Sequence, residues 1–150
     1  MPQKRISPIL RSCFESLEHG LFHFLRSPTS TDMKFAILHV DQAIELILKE
    51  KVRDLGKSVY KNPKETISIW GAYDVLAENK IKIPEKSDLE LLHEERNSIQ
   101  HKSANPDPND AAFYIEKAVF FLNRFAKDEL GVELKDYISS SHLENFFTKK

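Results

Sequence analysis

The chain has 150 residues, of which 41% are hydrophobic and 30% charged, with a formal net charge of −1. Such a length suits one domain with a real core, and the balanced charge excludes a broad cationic surface, so any RNA contact must be local. The single cysteine, Cys13, excludes an internal disulfide and favours a reducing, cytoplasmic setting. The polar start of the chain and the lack of a long apolar run predict neither a secretory leader nor a membrane association.

Apolar residues recur at helical spacing in the first third of the chain. They predict a first helix over about 7–26, a break at Ser27-Pro28-Thr29-Ser30, and a second helix from Thr31 to about Leu55. Gly56 is expected to end the second helix. That helix is apolar almost all round, which is typical of a helix in the middle of a bundle.

The same periodicity continues to the end of the chain. Asn62-Pro63 is expected to begin a third helix, and Ser87-Asp88-Leu89-Glu90 fits a capping box that opens a fourth. After a proline-broken turn, a fifth helix is predicted over about 110–130, ending at Gly131. A shorter amphipathic helix is predicted over about 135–147.

No segment alternates with period two, so the sequence predicts the all-α class. We expect an antiparallel helical bundle of four to six helices with short connections, forming a single helical domain over 1–150. Within it, 1–30 is assigned to an N-terminal helix, 31–130 to the core and 131–150 to a C-terminal helical extension.

The most informative stretch is Arg96-Asn97-Ser98-Ile99-Gln100-His101, in the fourth helix. Helical geometry places Arg96 on the apolar stripe of the helix. Burying a cation there costs free energy unless it meets a carboxylate, a second copy of the chain or an anionic ligand. His101 lies roughly 140° from Arg96 on an ideal helix. The two side chains therefore converge only if the helix loosens near its end, or if a second chain supplies one of them.

Arg96, Asn97 and His101 resemble the signature of the HEPN superfamily, which has an Arg, then a polar residue, then a His a few positions later. The apolar helix carrying Asp41 and Glu45 before the motif and the amphipathic helix after it extend the resemblance to roughly residues 31–130. The resemblance implies an HEPN-like bundle that forms a homodimer. It also implies metal-independent cleavage of RNA in a cleft between the protomers, with no cofactor, and a role in defence or stress responses.

The residue types suit that chemistry. When an RNA 2′-hydroxyl attacks its own phosphate, a forked guanidinium such as Arg96 stabilises the charge that develops on the phosphoryl oxygens. Histidine titrates near neutral pH and can take or give the protons, which assigns that task to His101. Asn97 would orient the histidine or hold a phosphate oxygen. The substrate-binding candidates are three polar neighbours of these residues: His93, Gln100 and Lys102.

Several alternatives stay open. Arg96 and His101 could make only contacts within the bundle, with Asp41 or Glu45 as partner, and His93 could be an ordinary boundary histidine. The protein would then be a non-catalytic dimer that binds a nucleotide, RNA or a protein partner, or a plain helical adaptor. One branch of the family carries a Tyr two residues after the His as the target of a nucleotidyltransferase antitoxin. Ser103 stands there in this chain, which counts against that pairing but not against another antitoxin or regulatory protein.

Four further patterns are weaker, and each allows a structural explanation. His19 and His23 have a spacing that can hold a metal, but no third ligand is obvious, and no metal is predicted. The basic stretch Lys49–Lys64 could track an RNA backbone or be a solvated helix end. The phenylalanines of the fifth helix could form a dimer seam or belong to a buried helix. The tail, ending in Phe146-Phe147, could dock on a partner or on its own bundle.

Overall fold

A computed structural model describes residues 5–26 and 29–147. This part of the chain contains six α-helices: α1 (Pro8–Leu25), α2 (Ser30–Asp54), α3 (Ile69–Glu78), α4 (Lys86–Lys102), α5 (Pro108–Leu130) and α6 (Ser140–Leu143). Two short antiparallel strands, β1 (Tyr60–Asn62) and β2 (Glu65–Thr66), form a hairpin, and a 3₁₀ turn covers Leu134–Asp136. The helices pack as a bundle, which confirms the predicted all-α class.

Helix α2 lies at the centre of the bundle. It packs against α1, α3, α4 and α5, as its almost continuous apolar surface predicts. Its side chains Ile37, Ile44, Ile47 and Leu48 are fully buried. Helix α1 approaches α2 closely at Gly20, where an added Cβ would lie only 2.7 Å from Val40 Cγ2. Burial of this shared core is the main force that holds the helices together.

The ends of α2 and α5 follow their sequence signals. Thr29 and Asp32 form a capping box at the start of α2, slightly earlier than the predicted start at Thr31, while Ser27 and Pro28 of the predicted break lie outside the described residues. Gly56 (φ +77°) and Gly131 (φ +65°) adopt the left-handed conformation just after α2 and α5. Glycine reaches that conformation without steric cost, so the two glycines predicted the ends of α2 and α5 correctly.

The predicted start of the third helix at Asn62-Pro63 is wrong. These residues lie in the hairpin, where Asn62 Oδ1 accepts hydrogen bonds from the backbone N–H groups of Lys64 and Glu65. An Asn side chain bonded in this way stabilises a turn instead of a helix. Helix α3 begins later, with the Ser68 hydroxyl accepting from the Gly71 N–H at 3.1 Å.

The predicted capping box of the fourth helix is also wrong. Helix α4 begins at Lys86, and Glu85 at its N-cap makes no side-chain bond to the backbone. The Glu85 carboxylate instead accepts two hydrogen bonds from the Arg124 guanidinium on α5. A contact between helices therefore fixes the start of α4, and a local cap such as Ser87 does not.

The C-terminal segment is interrupted and does not form the single helix predicted over 135–147. It consists of the 3₁₀ turn and α6, followed by two aromatic residues that return to the bundle. Phe146 stacks on Phe24 of α1 at 6.1 Å between ring centroids, and Phe147 packs on Phe120 of α5 at 5.4 Å. The tail thus docks on its own chain. None of the described helices is both long and apolar enough to cross a membrane.

Candidate functional site

A buried carboxylate on α2 organises the candidate site. Asp41 is only 2% exposed, and its Oδ2 lies 3.0 Å from His93 Nδ1 and 3.8 Å from Arg96 Nε. His93 and Arg96 are three residues apart on α4, so they share the helix face that packs on α2. Arg96 on the apolar stripe therefore meets a carboxylate, as its position requires. The other sequence candidate, Glu45, binds Lys49 instead, at 2.8 Å.

His93 is buried, with 8% of its surface exposed, and it does not line the pocket beside His101, so its role as a substrate-binding residue stays a prediction. The hydrogen bond to Asp41 raises the pKa of His93 above its ordinary value, although burial opposes the shift. The indole of Trp70 on α3 contacts the imidazole edge to face, at 5.6 Å between ring centroids. His93 is thus a side chain in a buried polar cluster.

Two polar atoms in this region lack a hydrogen-bond partner among the described residues: Asp41 Oδ1 and Tyr73 Oη. Burial, followed by the negative charges of Asp41 and Glu90, raises the pKa of the Tyr73 hydroxyl. A buried polar atom without a partner is destabilising, and such atoms are rare in folded proteins. Their presence beside Arg96 and His93 marks this region as a site candidate, because functional sites concentrate such groups.

The Arg96 guanidinium is held from two directions. Its Nε faces Asp41, and its Nη1 donates a hydrogen bond to Asn97 Oδ1 at 2.9 Å. The side chain remains 28% exposed, so part of the guanidinium is open to solvent. Anchoring by a carboxylate and an amide leaves Arg96 in a fixed orientation from which it could meet an anion.

Helix α4 stays regular beyond the motif. It ends at Lys102, and Ser103 follows in the left-handed conformation with φ +53°. His101 is exposed and makes no hydrogen bond or ion pair with any described residue, Arg96 included. Of the two predicted routes to convergence, the loosened helix end is absent, and the route through a second chain stays a prediction.

His101 opens onto a shallow pocket of about 370 Å³. The lining residues are Glu94, Asn97, Ser98, His101 and Lys102. Arg96 is not among them, but Asn97 connects the two regions because it both lines the pocket and binds Arg96. Of the substrate-binding candidates, Lys102 lines the pocket, while Gln100 is exposed outside its lining.

A histidine that the sequence did not reveal joins the predicted pair on α1. His39 of α2 lies 5.5 Å from His19 and 6.0 Å from His23 between ring centroids. Burial lowers the pKa of His39, and the neighbouring imidazoles lower it further. Only the packing of α2 on α1 brings the three together, so no local spacing could have signalled it. Over residues 5–26 and 29–147, no group of three or more His, Cys, Asp or Glu is arranged to hold a metal.

The cations of the basic stretch Lys49–Lys64 fall into two groups, one paired with acidic groups and one without ion-pair partners in the described chain. Lys49, Lys51 and Arg53 are paired with acidic groups within the bundle, so the alternative in which the stretch tracks an RNA backbone has no support from this group. The exposed cations of the stretch that have no ion-pair partner in the described chain are Lys57, Lys61 and Lys64.

The four phenylalanines of α5 fall into a buried pair and an exposed pair. Phe121 and Phe125 are fully buried in the core, while Phe113 and Phe120 are 46% and 38% exposed. Burial within one chain explains Phe121 and Phe125, and Phe120 also packs on Phe147 of the same chain. The dimer seam stays a prediction for the exposed surfaces of Phe113 and Phe120.

Comparison of the chain with protein-family models, curated proteins and solved structures finds no match. A helical bundle by itself implies no activity, since one architecture serves many functions. The function must therefore be argued from the chemistry of Asp41, His93, Arg96, Asn97 and His101.

Proposed function

We propose that the protein is a metal-independent endoribonuclease of the HEPN type, active as a homodimer. The observation that carries this proposal is the Arg96 guanidinium, which is fixed between Asp41 and Asn97 while 28% of the side chain stays exposed. Five residues further along α4, on a different face, His101 is exposed and without a partner in the described chain. An oriented cation and an unengaged imidazole are the two groups that RNA cleavage without a metal requires.

The reaction is an internal transesterification. The 2′-oxygen of one ribose loses its proton to a base and forms a bond to the adjacent phosphorus. The bond from phosphorus to the 5′-oxygen of the next nucleotide breaks, and that oxygen receives a proton from an acid. The products are a 2′,3′-cyclic phosphate and a 5′-hydroxyl. Arg96 stabilises the charge that builds on the non-bridging oxygens, and His101 handles the protons.

The proposal needs a second copy of the chain because of the geometry of α4. A regular helix keeps Arg96 and His101 on different faces, and within one chain they make no contact. In the proposed homodimer, two α4 helices lie about a two-fold axis so that Arg96 of one copy is close to His101 of the other. Such a site would hold two histidines, one to act as the base and one as the acid.

The test is cleavage of mixed RNA in the presence of EDTA. We expect the wild-type protein to cut, and Arg96→Ala and His101→Ala to lower the rate by about 100-fold or more. Arg11→Ala and His19→Ala are the matched controls, because both residues are exposed on α1, outside the candidate site. They should cut at the wild-type rate. A wild-type protein that leaves RNA intact, or site variants that cut as fast as the controls, would refute the nuclease.

A non-catalytic dimer that binds RNA, a nucleotide or a protein is the second candidate. It is favoured by the anchored Arg96 and by the pocket that Asn97 lines, which could hold an anionic ligand without any contact between Arg96 and His101. In this case RNA would bind without being cut, and His101→Ala would leave the affinity unchanged. The same preparations used for the cleavage assay distinguish the two functions.

A further inference from the structure

Four of the six histidines of the chain lie around one end of the contact between α1 and α2. The His39 imidazole of α2 lies 5.5 Å from that of His19 and 6.0 Å from that of His23, measured between ring centroids. His142 of the C-terminal segment lines the same pocket, of about 540 Å³, as His19 and His23. A proton bound by one of the three packed rings therefore acts on the other two.

The backbone keeps these rings together. Gly20 follows His19 on α1, and a Cβ added at Gly20 would lie 3.3 Å from His39 Cβ. On either side of this approach, Leu21 and Ala36 are fully buried between the two helices. His19 is exposed, so its ring can rotate towards solvent, but His23 is held by Asp32. A repulsion between His23 and His39 is therefore relieved fully only when α1 moves away from α2.

The carboxylate beside the cluster is already engaged. His23 Nδ1 lies 3.0 Å from Asp32 Oδ1, and Arg26 Nε lies 4.0 Å from the same oxygen. The hydrogen bond with His23, followed by the one from the Thr29 N–H, lowers the pKa of Asp32 to about 2. Asp32 thus stays ionised at pH 5, where it faces one imidazole and one guanidinium and has no charge to spare for His39.

No carboxylate among the described residues faces His39. Its neighbours one turn away on α2 carry no charge: Phe35, Ala36, Gln42 and Ala43. The titratable groups that act on it from α1 are His19 and His23, and burial followed by these two imidazoles lowers the pKa of His39.

Two glutamates of α1 lie near His19 and do not reach His39. Glu18 accepts hydrogen bonds from the Ser139 N–H and bonds His142 Nδ1, so the C-terminal segment uses its charge. Glu15 lies one turn before His19 and is exposed, so its charge is screened by solvent. A second proton in the cluster therefore meets a cation without a new anion.

We propose that acid opens the contact between residues 19–25 of α1 and the first ten residues of α2, because the cluster His19, His23 and His39 charges there. The inference does not rest on the proposed function. Two unit charges roughly 5.5 Å apart repel, even at the dielectric constant of water, by a free energy equivalent to about 3-fold in an equilibrium constant. The repulsion is larger where the groups are partly buried, as His39 is.

The sign of the effect separates this contact from the rest of the bundle. A group whose pKa is lowered on folding, such as His39, contributes stability above the unfolded-state value of about 6.5, and this is lost as the pH falls towards the folded-state value. His93 has a raised pKa, so its pair with Asp41 between α2 and α4 gains stability in acid. Opening in acid should therefore be local to α1.

Amide hydrogen exchange of the full chain, followed by NMR at pH 7.5 and pH 5.5, tests the proposal. Protection factors remove the effect of pH on the intrinsic exchange rate. On acidification, the amides of 19–25 should lose at least about 3-fold more protection than those of 118–126 in the core of α5. In the same samples, the His39 ring resonances should be the last of the three to show protonation.

Two variants and a control assign the effect to the cluster. His39→Phe keeps a ring beside Phe35 and removes the proton site, so the extra loss at pH 5.5 should disappear. His19→Gln, at an exposed position, removes one of the two repulsions on His39 and should reduce the loss, which tests the proposal even where His39→Phe fails to fold. His101→Gln removes an exposed histidine of α4 and should leave the loss unchanged.

Three results would overturn the proposal. They are an equal change of protection in 19–25 and 118–126, a gain of protection in 19–25 on acidification, and a full loss that persists in His39→Phe. None of these measurements involves RNA, so the cluster and the nuclease stand or fall separately.

Discussion

The Asp41→Asn variant tests the group on which the site depends. Asn keeps the size of the side chain but removes the charge that faces His93 and Arg96. Hydrogen bonds to charged groups contribute about 1.5–3 kcal/mol, and neutral ones about 1 kcal/mol. Asn also removes the free-energy cost of burying a charged carboxylate, one oxygen of which has no hydrogen-bond partner in the described chain. This gain offsets part of the lost stability. We therefore expect a net destabilisation of about 1 kcal/mol at pH 5.5.

The destabilisation should depend on pH with a defined sign. The pKa of His93 is raised in the folded protein by its bond to Asp41. The pair of opposite charges therefore stabilises the fold fully below the unfolded-state pKa of about 6.5, and this contribution is lost as the pH rises through the folded-state value. The difference between the wild type and Asp41→Asn should shrink by about 1 kcal/mol between pH 5.5 and pH 8.5.

Urea unfolding followed by Trp70 fluorescence and by circular dichroism measures this difference. Asp128→Asn is the matched control, because Asp128 also faces an arginine, Arg124, at 3.7 Å, but its side chain is 53% exposed. Exposed pairs contribute little, so this control should change stability by less than about 0.5 kcal/mol at either pH. A variant at position 41 that is as stable as wild type at pH 5.5, or one that loses more stability at pH 8.5, would refute the role assigned to the carboxylate.

Three further predictions concern the bundle. Gly20→Ala should lower the free energy of unfolding by about 1–3 kcal/mol, because its Cβ would meet Val40 Cγ2 at 2.7 Å, and a higher melting temperature would contradict this close approach. Cys13 is fully buried and burial raises the pKa of its thiol, so it should react with a disulfide reagent only after addition of denaturant; rapid labelling of the folded protein would show otherwise. Glu85→Gln should destabilise by about 1 kcal/mol in thermal unfolding, because it weakens the bonds from Arg124 that fix the start of α4, and an unchanged melting curve would count against that contact.

The bundle was predictable because its main signals are local. The apolar surface of α2 identified the central helix, and Gly56 and Gly131 marked where α2 and α5 end. Periodicity and end signals act within a few residues, so one sequence suffices to read them. The hairpin was missed because its strands have only three and two residues, all exposed, and show no alternation.

The candidate site was predictable only in part, since its contacts join distant segments. Helical geometry predicted that Arg96 needs a partner such as a carboxylate, and Asp41 was one of the two carboxylates predicted for that role, with Glu45. That His93 shares this carboxylate, 52 residues away along the chain, depends on how α4 packs on α2. No sequence pattern linked Trp70 to the candidate site, because single aromatic residues are common on protein surfaces. The link depends on the packing of α3 beside α4, which brings the Trp70 ring against His93.

The end groups of the cleaved RNA test the central claim most directly. Oligonucleotides are incubated with the wild-type protein in EDTA, and the products are identified by mass spectrometry, with a fully 2′-O-methylated copy as control. The proposed chemistry of Arg96 and His101 predicts fragments ending in 2′,3′-cyclic phosphate and beginning with 5′-hydroxyl, and no cleavage of the methylated copy. Fragments with 5′-phosphates, cleavage of the methylated strand, or intact RNA would contradict it.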